Sequence, residues 1–212
     1  MSSRYWVKLF INTLLIGGVS AGVVGLIVKW SDFSLKTPTE LFVGFLWMAG
    51  VGLIFSVISQ MCFIAYLTVH RLGMEMFGSV FVWQSIQLVL TGFVLFDLAY
   101  LRFVFFGDEA ESAISYIWYP ALILAVALLV SGLKVKQTNK TAFIPAMFFM
   151  VVVTVIEWFP VLRVNEESYM YFMLIPLLIC NTYQLLILPK YHEKSKEAAI
   201  ERKKRMQKAA QS

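Results

Sequence analysis

Apolar residues fall into six long runs along this chain, and polar residues fill the gaps between them. The runs are Leu9–Val28, Leu41–Val69, Met76–Leu98, Ile114–Ser131, Ala142–Phe159 and Tyr169–Leu188. Each comes close to or exceeds the roughly 20 residues that carry a helix across about 30 Å of hydrocarbon. None alternates with period two, the signature of a membrane barrel strand. In lipid each backbone amide needs a partner within its own segment, so each run is predicted as a helix. The expected fold class is all-α. It is a polytopic integral membrane bundle of six transmembrane helices over residues 1–190, followed by a short basic tail over 191–212. The first run looks like a secretory signal, with Arg4 and Lys8 before it and Val19-Ser20-Ala21 placed like a cleavage site. The apolar character continues to Val28, so a retained helix is expected. Beyond the third run, Ala99–Phe106 stays mostly apolar. A break near Tyr100 and an interfacial segment ending at Gly107 are expected there, with one long tilted helix as the alternative.

Composition supports lipid as the solvent. The 212 residues are 59% hydrophobic and 15% charged, more apolar and less charged than a soluble domain. The charges that remain set an orientation. Arg4, Lys8, Arg71, Lys134, Lys136, Lys140 and the tail cations fall on one side of the alternating spans. Only Lys29, Lys36, Arg102 and Arg163 fall on the other. Cationic loops resist translocation, so both termini are expected in the cytoplasm, an N-in/C-in topology. Trp30, Trp118, Tyr119 and Trp158 are expected at the outer interface, and Tyr5, Trp6 and Tyr191 at the inner one, where amphipathic rings settle. The net charge of +5 therefore points to anionic lipid at the cytoplasmic leaflet and not to nucleic acid.

Candidate chemistry is sparse. Gly17, Gly18, Ala21, Gly22 and Gly25 place small residues on adjoining rows of one face of the first helix. Another backbone can approach closely there, either within the bundle or from a partner membrane protein. Arg202, Lys203, Lys204 and Arg205 form a juxtamembrane basic cluster, suited to lipid headgroups or to a cytoplasmic protein. A polar intramembrane cluster is expected from Ser56, Ser59 and Gln60 in the second span, Gln84, Gln87 and Thr91 in the third, and Asn181 and Gln184 in the sixth. Carboxamides in hydrocarbon seek one another, so these predict a polar zipper among spans two, three and six, or a small ligand pocket. Asp97 and Glu157 are expected near the outer boundary, partly exposed or paired with Arg102 or Arg163. His70 and Arg71 are read as headgroup contacts. Cys62 and Cys180 read as packing residues. The chain has no HExxH, no GxSxG and no phosphate-binding Gly-rich loop. The expectation is a protein without catalytic residues, cofactor or metal.

The opening Ser3-Arg4-Tyr5-Trp6-Val7-Lys8-Leu9-Phe10, running on through Thr13-Leu14-Leu15-Ile16-Gly17-Gly18, resembles the start of the KinB-signalling pathway activation proteins, the KbaA family. The similarity extends over the whole chain in length, in the six spans and in the basic tail. It implies a plasma-membrane protein of spore-forming bacilli that promotes a membrane sensor histidine kinase feeding the sporulation phosphorelay. It assigns no functional residue. The expected partners are thus a membrane sensor histidine kinase and anionic lipid, with formation of a homo-oligomer left open. Two other classes stand beside this reading. One is the ligand-capturing subunit of a vitamin uptake system, whose six-helix architecture is analogous. The other is an intramembrane enzyme, which would need acid, base or metal groups converging at one depth. His70 is expected at the opposite face from Asp97 and Glu157.

Overall fold

The computed structural model describes residues 3–29, 37–106, 114–162, 164 and 166–209, with the side chains at 105–106, 114–115, 202–203 and 208–209 excepted. The described residues are helical almost throughout and contain no strand. In chain order the elements are α1 (Ser3–Val28), α2 (Pro38–Phe77), α3 (Val80–Phe106) and α4 (Ile114–Gln137). A fifth helical span follows, built from a 3₁₀ turn (Lys140–Ala142), α5 (Phe143–Phe148), a π turn (Phe149–Val153) and α6 (Thr154–Leu162). Last comes α7 (Glu167–Ala209). Six helical segments are long and apolar enough to cross a membrane, at the six places where the apolar runs predict them.

The third span differs from expectation at both ends. Helix α3 runs unbroken through Tyr100 to Phe106. Its start lies at Val80, four residues later than the apolar run suggests, because the turn is at Gly78 (φ 60°), which closes α2 by donating its N–H to the Met74 carbonyl. A left-handed residue at a helix C-terminus suits glycine, which has no Cβ to clash. The extra length of Ala99–Phe106 is thereby absorbed without a break. Helix α7 continues as helix through the basic tail to Ala209. The start of α2 is set by Thr37, Pro38 and Glu40. The Thr37 hydroxyl accepts from the Glu40 amide, and the Glu40 carboxylate accepts from the Thr37 amide at 3.0 Å. This reciprocal cap satisfies two amides that the first helical turn leaves open.

Helices α1 and α2 are antiparallel: the pairs Gly17–Ser56, Gly18–Leu53 and Gly22–Phe45 run in opposite directions. Along α2 and α7 the pairs Phe55–Phe172, Ser56–Cys180 and Ser59–Asn181 run in the same direction. The N-terminal end of α1 therefore lies beside the far end of α7's apolar portion. Tyr5 and Tyr191 have ring centroids 5.8 Å apart, and Asn12 donates to the Tyr191 hydroxyl at 3.1 Å.

The glycine-rich face of α1 is what joins the first helix to the rest. Gly17, Gly18, Ala21, Gly22 and Gly25 are all buried. A Cβ on Gly17 would strike the Ser56 hydroxyl and lie 2.9 Å from the Cys180 sulfur. On Gly22 it would strike the Phe45 ring, and on Gly25 the Met48 sulfur. Across the contact, a Cβ on Gly52 would collide with the Ala21 methyl and stand 2.6 Å from the Gly17 carbonyl. Of the two occupants expected for this face, the chain's own α2 and α7 lie against it. Its opposite side is left bare: Leu15, Val19, Val23 and Ile27 are exposed at spacings of four.

The close crossing predicts an asymmetry between glycines. Gly52→Ala should lower stability by about 1–3 kcal/mol, the usual cost of overpacking. Gly92→Ala should leave it unchanged or raise it by up to about 1 kcal/mol, because nothing lies within 4 Å of a Cβ there. Thermal unfolding of the two purified variants measures both.

Candidate functional site

Sequence alone groups polar residues by helix; packing decides which of them meet. The centre of the bundle holds Ser59 of α2, Thr154 and Glu157 of α6, and Asn181 and Gln184 of α7, all buried. Asn181 lies about midway along α7 between Tyr169 and Tyr191. Its amide nitrogen donates to the Glu157 carboxylate at 2.7 Å and to the Thr154 hydroxyl at 3.0 Å. Its carbonyl accepts from the Ser59 hydroxyl at 2.8 Å. Ser59 in turn accepts from the Gln184 amide nitrogen at 2.6 Å.

The bonds form one directed series: Gln184 donates to Ser59, Ser59 to Asn181, and Asn181 to Glu157. The Gln184 oxygen has no hydrogen-bond partner among the described residues. The second Glu157 oxygen likewise has none. Leaving a buried acceptor unpaired costs about 1–3 kcal/mol, so both atoms mark places where the interior is not fully satisfied.

A register change brings Thr154 and Glu157 to this point. The π turn Phe149–Val153 immediately precedes them. It inserts an extra residue into the helical winding and rotates everything after it, a device common at functional sites. Thr154 was not among the polar candidates, although its i,i+3 spacing to Glu157 is visible in the sequence. Glu157 itself is only 3% exposed. It is therefore an internal group held by Asn181 from α7, and not a boundary carboxylate.

The expected zipper among spans two, three and six is corrected accordingly. Spans two and six do meet, but their polar partner is the fifth span. The α3 residues are used elsewhere. Gln84 donates to the Thr141 carbonyl at 2.8 Å. That carbonyl would normally pair with the amide four residues on, which is Pro145 and has no N–H. Gln87 approaches the His70 imidazole at 3.4 Å, beside a 3.1 Å bond from the Trp83 indole to the same ring nitrogen. Thr91 donates to the Gln87 carbonyl. His70 thus faces α3, contrary to the headgroup reading. Ser56 donates to the Gly52 carbonyl at 2.9 Å and touches Cys180.

The aromatic expectations are also sorted by packing. Trp118 is exposed, but Tyr119 and Trp158 are buried against each other with centroids 5.2 Å apart. The Trp158 indole donates to the Met170 carbonyl. Arg102 lies over the Tyr119 ring at 4.5 Å. Asp97 is half-buried, and Lys204 and Arg205 are exposed. The side chains of Arg202 and Lys203 lie outside the described residues, as do Trp30, Lys36, Gly107 and Arg163.

One further feature adjoins the network. A groove of about 370 Å³ lies between α1, α2 and α7, lined by Trp6, Phe10, Ile64, Gln60 and Gln184 among others. Gln60 and Gln184 each keep a buried polar atom, the Gln60 amide nitrogen and the Gln184 oxygen, without a hydrogen-bond partner among the described residues.

Comparison with known proteins adds family context. Residues 17–191 match the family KbaA, described as KinB-signalling pathway activation in sporulation. A curated relative, the KinB-signaling pathway activation protein of Bacillus subtilis (strain 168), is 43% identical over 198 residues. That alignment covers 92% of this chain and 100% of the relative. No solved structure matches.

The network makes Asn181 its central member. Asn181→Leu should destabilise the protein by about 1–3 kcal/mol, because it leaves Glu157 without its donor and the Ser59 hydroxyl proton without its acceptor. A double-mutant cycle of Asn181→Ala with Glu157→Ala should give a coupling of about 1–2 kcal/mol. The measurement is equilibrium unfolding in detergent, and a coupling near zero would remove Glu157 from the network.

Proposed function

The chain belongs to the KbaA family of KinB-signalling pathway activation proteins, and from that premise we propose that it is a multi-pass plasma-membrane protein that activates a KinB-type sporulation sensor histidine kinase by lateral helix contact. The single observation that carries this reading is the 43% identity to a protein of that name over the relative's whole length. In this reading both termini face the cytoplasm and the protein performs no chemistry of its own.

The physical features fit an accessory role. An apolar exterior bearing Trp47, Phe81 and Val89, each more than 70% exposed, suits lipid and not water. Basic residues of α7 beyond Tyr191 would lie along the cytoplasmic leaflet, where each gains up to about 1 kcal/mol from anionic lipid. Activation requires that the protein bind one arrangement of the kinase helices better than another, since equal affinity shifts nothing. A contact surface for this must be on the outside of the bundle. The glycine face of α1 is internal, so the surface assigned to the kinase moves to the exposed stripe Leu15, Val19 and Val23, together with Lys204 and Arg205 of the tail.

A photocrosslinker placed at Val19 or Val23 should trap the kinase in living cells, and one at the buried Ala21 should trap only this chain. Replacing Leu15, Val19 and Val23 together by Ala should lower kinase-dependent sporulation about tenfold, equivalent to about 1.4 kcal/mol of coupling. Full sporulation in that triple variant, with no kinase adduct from either position, would remove α1 as the contact.

A further inference from the structure

The corner between α2 and α3 closes around one indole. Trp83 lies in the first turn of α3 and is buried. A Cβ on Gly73 would strike its ring, and Phe77 stacks on it with centroids 5.8 Å apart and 18° between the planes. Its N–H donates to His70 Nδ1 at 3.1 Å. An indole nitrogen is a donor only, so the sense of this bond is settled by chemistry. His70 Nδ1 must carry a lone pair, and the neutral ring then holds its proton on Nε2. The Gln87 amide nitrogen stands 3.4 Å from the same Nδ1.

Two other bonds tie this end of the bundle together. Gln84 donates to the Thr141 carbonyl, and the Tyr66 hydroxyl donates to the Pro145 carbonyl at 2.9 Å. Neither pair changes its protons between about pH 5 and pH 8, whereas an imidazole does. The groups that meet the His70 ring are uncharged: Tyr66 on α2, at 5.8 Å between centroids, and Trp83 and Gln87 on α3. The nearest charges on its own helix, Arg71 and Glu75, pair with each other at 2.9 Å and are exposed. Lys140, at the start of the fifth span beside Thr141, is also exposed.

We propose that His70 is a proton-operated latch on the α2–α3 corner. The neutral ring holds Trp83 through Nδ1 and fastens the start of α3 to the end of α2. A proton on Nδ1 removes the lone pair and sets two N–H donors against each other. The indole then loses its acceptor, and α3 is released to move about the turn at Gly78. The bond exists only with the neutral ring, so its stabilisation is present near pH 7.5 and is lost as the ring is protonated toward about pH 5.5. In the topology proposed above this corner faces the cytoplasm, so the protons it meets are the cell's own. The latch itself rests on the corner's geometry and not on the kinase.

The test uses the full chain carrying His192→Gln, which leaves His70 as its one histidine. Nitrogen-15 spectra of the histidine at about pH 7.5 should show the Nε2–H tautomer with Nδ1 bare. Between about pH 7.5 and 5.5 the melting temperature should fall about 2–4 °C further than in a His70→Asn variant, the shift expected for one lost hydrogen bond in a chain of this size. The Asn side-chain oxygen can accept from Trp83 but does not titrate. Trp83→Phe keeps a ring in place and removes the donor, so the extra fall should vanish there too. An Nδ1–H tautomer would overturn the latch, as would an extra fall that survives in Trp83→Phe, the behaviour of a buried base with no tie to the indole. The spectrum needs no substitution at the corner, so it decides the matter if either variant fails to fold.

Discussion

The Leu185 carbonyl has no donor in its own helix, because residue 189 is proline. Lys134 reaches across from α4 and donates its ammonium to that carbonyl. Thr141 is in the same position relative to Pro145, and Gln84 of α3 supplies its missing donor. Both repairs express one constraint. A carbonyl whose helical donor is lost to a proline is paired by a side chain from a neighbouring helix, since an unanswered backbone acceptor is costly. Side chains that look like candidate ligands in the sequence are largely consumed in meeting this demand. Lys134 is a buried cation for this reason, and Gln84 leaves the expected polar zipper for the same one.

The same demand explains the central network. Asn181 answers the buried Glu157 at 2.7 Å. From there the bonds continue through Ser59 to Gln184, so three spans share one series. The π turn before Thr154 is the backbone change that places Glu157 at the start of the series.

Close packing supplies the other half of the architecture. Small residues on α1 permit backbone contact with α2, with Gly52 meeting Ala21 and the Gly17 carbonyl. Such contacts gain van der Waals energy that lipid cannot replace, since lipid tails offer no hydrophobic advantage between helices. Using the glycine face internally leaves the branched aliphatic face outward. Family membership and this outward face together give the kinase-activator reading its physical form.

Much of this was written in local sequence. Run length and the lack of period-two alternation determined six helices, because hydrocarbon thickness and amide pairing act on each segment alone. Gly17 to Gly25 marked a close crossing, and Ser59, Asn181 and Gln184 announced buried polarity. Tertiary structure decided what each of these faced. Whether a glycine stripe meets its own chain or another depends on which helix arrives there. Glu157 was legible as a costly charge, but its partner was not, because a π turn rotates it by an amount no periodicity reveals. Trp158 is buried with its indole bonded to Met170 and His70 is engaged by Trp83, pairings that position along the chain does not reveal. Helix formation is set by the surroundings of one segment, whereas hydrogen-bond partnership is set by contacts between different segments of the chain.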